Sequence, residues 1–305
     1  MALEADQAVD RRRLKRRLSF WRAAAVIAVA ALVIVAAARQ RGPLASLVER
    51  PHIERLSVSG VISEDSARSA ALKAVLKNDR AKALIVDINS PGGTVVGSET
   101  LFRELRAIAA KKPVVATMGT LAASGGYMTA LGADHIVARE GTITGSIGVI
   151  MQSADVTGLL KKLGIEPEAI KSAPLKAVPS PFEPLTPEGR EATKAVVMDM
   201  YDMFVGMVAE RRNLAPEEAK RLADGRIYTG RQAIAAKLVD EIGGEDEARA
   251  WLESARGVPA SLPVYDVRIE KDSADVLGLV GGRIGKALFS ERLTLDGLVA
   301  LWHPE

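Results

Sequence analysis

Ser124 stands in the stretch LAASGGYMTA (Leu121–Ala130), a hydroxyl among alanines and glycines with no histidine or acid beside it. Small neighbours let another backbone approach that oxygen closely, which is how a nucleophile is presented and also how a tightly packed helix start looks. A serine nucleophile needs a base. The three histidines are His52, His135 and His303, and each is poorly placed. His135 lies in the strand-like ADHIVARE, His52 precedes the first strand, and His303 is close to the chain end. AASGG is an A-x-S-x-G relative of the nucleophile elbow, so His303 formally completes a Ser, Asp, His order, but no obvious element holds that tail in place. A neutral lysine is the other route to an activated serine. IKSAPLKAVPSPF offers Lys171 and Lys176. Pro174, Leu175, Ala177, Val178 and Pro179 flank Lys176 and are expected to strip water from it, whereas Lys171 precedes Ser172 in a more open setting. Taken alone, either lysine reads more simply as a solvated surface residue.

The elements that must position these groups alternate along the chain. IERLSVSGVI reads as an alternating strand, Ser66–Lys77 as an amphipathic helix, and ALIVDINS (Ala83–Ser90) as a buried strand stopped by Pro91, Gly92 and Gly93. Ser98–Ala110 follows as a helix, then KPVVATMG as a buried strand, with Ser124 at the start of the next helix; HIVARE and SIGVI suggest further strands. This rhythm predicts an α/β fold with a largely parallel sheet, in which sites form beyond the carboxyl ends of strands. Ser124 and the Gly92-Gly93 pair both fall at such ends. Thr186 is placed to cap a long helix with Pro187 at its first position. Val196, Met200, Met203, Phe204, Met207 and Val208 form its apolar stripe, read as packing or subunit contact. APEEAKRLADG and GRQAIAAKLVDEIGG add two short helices.

Composition narrows the function. The 305 residues are 48% hydrophobic, ample for a core, and contain no cysteine, which excludes disulfides, thiolate nucleophiles and cysteine metal sites. The net charge of +3 is local: seven Lys and Arg against three acids crowd the first 22 residues, and the remainder is slightly acidic. General nucleic-acid binding therefore loses its main support. Ala23–Ala38 carries no charge over sixteen residues, about 24 Å of helix against a hydrocarbon core of about 30 Å, with Phe20 and Trp21 extending it while Arg22 snorkels. The reading is an uncleaved anchor; the alternative is a signal peptide cleaved near Ala36–Ala38. The basic cluster puts the N-terminus in the cytoplasm and the rest outside. The expected organisation is thus a basic tail (1–22), an anchor (23–38), a linker (39–52), a catalytic domain (53–265) and an apolar C-terminal extension (266–305).

Five blocks in one order, DINSPGG (Asp87–Gly93), AASGGYM (Ala122–Met128), TGSIGVI (Thr144–Ile150), KSAPLK (Lys171–Lys176) and ADGRIYTGRQA (Ala223–Ala233), resemble the signal peptide peptidase A family of membrane-anchored serine peptidases. The resemblance implies a ClpP/crotonase-like fold and a Ser/Lys dyad with Ser124 as nucleophile and Lys176 as general base. It also implies backbone N–H donors of Gly93 and Gly125 for the oxyanion, Ser146 as the group that orients the lysine, and Lys171 as the reserve base. Neither cofactor nor metal is implied. The chain departs from the family pattern at Ala173, where glycine is usual, and at Ala177, where an aspartate often follows the lysine. It is the short form, expected to close into a ring of eight with the serine of one protomer facing the lysine of its neighbour.

The leading expectation is an endopeptidase at the extracytoplasmic (periplasmic) face of a bacterial inner or plasma membrane, cleaving residual signal peptides and other extended apolar peptides. The alternatives are an acyl-transfer hydrolase on a crotonase-like or α/β-hydrolase scaffold, and a catalytically idle membrane scaffold.

Overall fold

The computed structural model describes residues 21–22, 24–30, 50–269 and 299–301, the last three by their backbone. The chain divides into two units, 1–50 and 51–305. In the first, residues 21–22 and 24–30 are helical, so the expected anchor is described over 24–30 and its remainder lies outside. Among the described residues, no helix is long and apolar enough to cross a membrane. His303 and most of the C-terminal extension also lie outside the described residues.

Among the described residues, the second unit is built on a mixed, mostly parallel nine-stranded sheet. Strand β1 (His52–Ile62) leads through α1 (Ser66–Lys77) to β2 (Ala81–Thr94), and α2 (Val95–Ala109) leads on to β3 (Val114–Ala123). The short α3 (Gly125–Ala130) precedes β4 (His135–Ala138) and β5 (Ile143–Gly145). Beyond a loop holding α4 (Thr157–Lys162) come the long α5 (Pro187–Arg212), α6 (Pro216–Leu222), β6 (Ile227–Thr229), α7 (Gly230–Ala235) and β7 (Glu241–Ile242). Helix α8 (Glu245–Arg256), β8 (Val264–Asp266) and β9 (Val299–Leu301) follow among the described residues. The order β6-β5-β3-β2-β1-β8 is parallel except for β5 with β6, while β4 pairs with β3 and β7.

The apolar run of β2 is continuous because both of its faces are covered. Leu84, Val86 and Ile88 point into the larger core with Leu101, Leu105, Phe204 and Val208, while Ala83 and Ile85 pack with Val115, Val137, Ala248 and Leu252 on the other face. Thr186 caps α5 by accepting from the Gly189 N–H at 3.1 Å, with Pro187 in the first turn. Only the C-terminal part of the apolar stripe is buried, at Phe204, Met207 and Val208; Val196 is 45% exposed.

Two local expectations are corrected. Pro91-Gly92-Gly93 does not stop β2, which continues to Thr94. The ladder skips from Ser59↔Asn89 to Val61↔Gly92, so Pro91 falls in a bulge, where its missing N–H costs no ladder bond. SIGVI is not a strand; the strand is the preceding Ile143–Gly145. Ser146 turns the chain away with φ of 49°, and Ile147 and Val149 are buried by packing instead.

Candidate active site

Strand β3 delivers Ser124 to the carboxyl end of the sheet, where the backbone reverses into α3. Its φ is 55° and its ψ −119°, a conformation that side-chain-bearing residues rarely adopt and that persists only where its surroundings enforce it. They do so here. The Ser124 N–H donates to the Gly145 carbonyl at 2.8 Å, and its own carbonyl accepts from the Met128 N–H at 2.9 Å. The Thr144 hydroxyl donates to the Ala122 carbonyl at 2.7 Å, clamping β5 against the last residues of β3. Ser124 is 1% exposed within the single subunit.

The neighbouring wall comes from β2. Ser90 pairs with Ala122, and a Cβ added to Gly126 would lie 2.8 Å from the Ser90 carbonyl oxygen, so the Ser124 turn rests directly on this segment. At Gly93 a Cβ would come within 1.8 Å of the Ile62 carbonyl oxygen, which leaves room for glycine alone. The buried Ser90 hydroxyl donates to the Gly60 carbonyl at 2.7 Å and accepts from the Gly92 N–H at 3.0 Å, fixing the bulge that carries Gly93. This positioning role of Ser90 went unread in the sequence, although the residue stands in the DINSPGG block. Beyond the bulge, the edge of β2 is taken by the chain's own β9, with Gly92 opposite Leu301, Gly93 opposite Ala300 and Thr94 opposite Val299, antiparallel.

Ser146 follows Gly145, whose partner Ala123 precedes Ser124. The structure thus brings Ser124, Gly125, Ser146 and the Gly92-Gly93 bulge to one end of the sheet. Lys176 is not among them. It lies in an exposed turn, without a hydrogen bond to Ser124, and the apolar neighbours expected to enclose it do not, Leu175 itself being 40% exposed. Residues spaced along an irregular segment cannot shield one another as packed elements do. Lys171 forms an ion pair with Glu183, which commits its ammonium to that carboxylate rather than to Ser124. Ala177 has φ of 61°, so the missing aspartate position falls on a sharp turn.

The described histidines belong to the opposite end. His52 contacts Glu54 and Asn78, and His135 stacks on Trp251 with a ring separation of 4.7 Å while bonding Glu241 at 3.0 Å. His135 pairs with Val115 at the start of β3, about 30 Å of strand from Ser124. Tyr127, next to the site, is buried and donates to the Leu238 carbonyl at 2.9 Å; burial pushes its hydroxyl well above its usual range, so it acts as a neutral tether.

A family model described as peptidase family S49 matches residues 106–259, half of the chain. The chain belongs to peptidase family S49. It is a serine-type peptidase, a hydrolase. The S49 match contains Ser124, Ser146, Lys171 and Lys176 and begins after Gly93. The chain is 43% identical to a Synechocystis sp. protein described as a protease, over 76% of this chain and 84% of that one. It is 38% identical to an Enterococcus faecium protein described as the signal peptide peptidase SppA, over 64% and 61%. Among solved structures it is similar to a ClpP1 mutant from Listeria monocytogenes, with a TM-score of 0.42, 18% identity, and coverage of 62% of this chain and 91% of that one.

Proposed function

We propose that this S49 peptidase is a membrane-anchored endopeptidase that uses Ser124 and Lys176 to cleave extended apolar peptides, residual signal peptides among them, on the extracytoplasmic side. The observation that carries the reading is the backbone at Ser124, held at positive φ beside a β2 edge that accepts an antiparallel strand. A peptide that takes the place of β9 on that edge presents its carbonyls in extended register to the nucleophile turn. Ser124 Oγ attacks the scissile carbonyl and its proton passes to a neutral Lys176 Nζ. The N–H groups of Gly93 and Gly125 receive the oxyanion, Lys176 returns the proton to the leaving amine, and water then releases the acyl group. Ser146, following Gly145 beside the nucleophile turn, orients the lysine.

The dyad is completed between subunits of a ring, which we take as an octamer. No residue from 150 to 186 is buried, and the segment leaves Ile170 at 98%, Leu163 at 63% and Phe182 at 56% exposure around its two candidate lysines. Such a surface needs a cover. A fluorophosphonate probe on the full chain tests the nucleophile: labelling is expected for wild type and lost in Ser124→Ala, and equal labelling of both would end the reading. Inactive Ser124→Ala and Lys176→Ala chains co-assembled by refolding test the shared site, with recovered peptide hydrolysis expected. Mixed rings as inactive as either parent would place the dyad within one subunit or nowhere.

A further inference from the structure

The end of the sheet opposite Ser124 holds a cavity of about 630 Å³ at the starts of β2 and β3. Lys77, Lys82, Lys111, Lys112 and Arg256 line it with one carboxylate, Asp79. Among the described residues none of the five forms an ion pair, although arginines elsewhere in the domain are repeatedly paired. Three helix ends meet here: α1 ends at Lys77, Lys111 and Lys112 follow α2, and α8 ends at Arg256. Helix carbonyl ends attract cations, but each is equivalent to only about half a negative charge. Three such ends leave a surplus of about two to three positive charges after Asp79 is counted.

Two of the five are already fixed by carbonyls. The Lys112 ammonium donates to the Val75 and Asn78 carbonyls at 2.8 Å each, and that of Lys82 to the Asp79 carbonyl at 2.9 Å. Burial, opposed by Glu54 and Asp79 and reinforced by Lys82 and Lys111, lowers the proton affinity of Lys112. Glu54 itself accepts from Asn78 at 2.8 Å. Arg256 lies over the Trp251 ring at 5.3 Å, and Lys77, Lys82, Lys111 and Arg256 are exposed. The chain also enters the domain at this end, since β1 starts at His52 and His52 pairs with Ala81, a residue of the cavity wall.

We propose that this basic cavity docks the domain on anionic phospholipid, its cations taking headgroup phosphates. The proposal rests on the anchor reading, which delivers the chain to the membrane at the end where β1 begins. Docking there holds Ser124 at the far end of β3, about 30 Å above the phosphates, facing peptides that extend away from the bilayer rather than those still within it.

The test uses the full chain, whose lack of cysteine allows a single fluorophore at Ala255→Cys, beside Arg256, or at Thr120→Cys toward the other end of β3. In nanodiscs with headgroup nitroxides, the Ala255 probe is expected to be quenched several-fold more with about one-third phosphatidylglycerol than with phosphatidylcholine alone, and the Thr120 probe in neither. The excess should fade as salt rises from about 0.05 to about 0.5 M. It should also vanish in the combined Lys77→Gln, Lys82→Gln, Lys111→Gln, Arg256→Gln variant, which spares Lys112. Each cation near such a surface is worth about fivefold in partition, so the four losses together predict a fall of roughly three orders of magnitude. Equal quenching in both lipids, or an unchanged variant, overturns the proposal. Weakened binding of a DNA duplex by the variant without a lipid effect also overturns it. Failure of the chain to float with phosphatidylcholine vesicles refutes the anchor instead. The patch is then judged by flotation with phosphatidylglycerol vesicles, which the variant must lose although it keeps Arg11–Arg17.

Discussion

Ser124 is 1% exposed on a turn clamped by Gly145, Met128 and the β2 wall, whereas Lys176 projects from a segment in which no residue between 150 and 186 is buried. One partner is preassembled by the sheet. The other depends on a stretch whose only helix, the six-residue α4, buries nothing. A nucleophile held at an unfavourable φ needs rigid surroundings, while a base on an unpacked segment acquires its position from whatever covers that segment. On the proposed dyad, the fold of one subunit fixes the conformation of Ser124 and leaves the position of Lys176 to assembly.

Removal of either side chain is expected to have the largest effect. Ser124→Ala and Lys176→Ala are each expected to lower peptide hydrolysis by at least about four orders of magnitude with the circular dichroism of the wild type, and Lys171→Ala by less than about tenfold. A dead Lys171→Ala with an active Lys176→Ala would move the base. Because the lysine must be neutral, kcat/KM is expected to rise from neutral toward alkaline pH; a bell centred near pH 6 would indicate histidine.

Stability should separate the two regions next. Gly93→Ala forces a Cβ to within 1.8 Å of the Ile62 carbonyl oxygen and is expected to cost about 3 kcal/mol or more in chemical denaturation. Ser90→Ala removes the bonds to Gly60 and Gly92 and should cost about 1–3 kcal/mol, lowering kcat more than it raises KM. Substitution of the exposed Phe182 by serine should leave the stability of the isolated subunit within about 0.5 kcal/mol while weakening the ring in sedimentation. A loss of subunit stability like that of Ser90→Ala would show that the 150–186 segment packs within the subunit after all.

The smallest effect lies far from both. Arg55 hydrogen-bonds Asp266 at 2.7 Å, joining β1 to β8, and that bond holds the Asp266 carboxyl below its ordinary range against a small opposing effect of burial. A lowered carboxyl contributes stability above its unfolded value near 4 and loses it as pH falls through the folded one. With Asp266 67% exposed, Asp266→Asn should cost at most a few tenths of a kcal/mol at pH 7 and flatten the acid limb of the stability curve by as little.

What the sequence determined by itself was local. The strand β1 with its alternation from Leu56 to Ser59, the continuous apolar run of β2, the helix at Ser66–Lys77 and the Thr186-Pro187 cap follow from residue periodicity and backbone chemistry, and they appear in the structure where the sequence placed them. Ser124 was legible for the same reason: glycine and alanine around one hydroxyl after a buried strand describe a sharp, close-packed turn. Tertiary structure decided what depends on neighbours distant in the chain. Pro91 and the glycines after it continue a strand because Gly60, thirty residues away, accepts the bulge through Ser90. Lys176 is exposed because apolar neighbours in sequence cannot enclose a side chain unless another element packs over them. Periodicity encodes which face of an element is buried, but the partner that buries it is a property of the assembled surface.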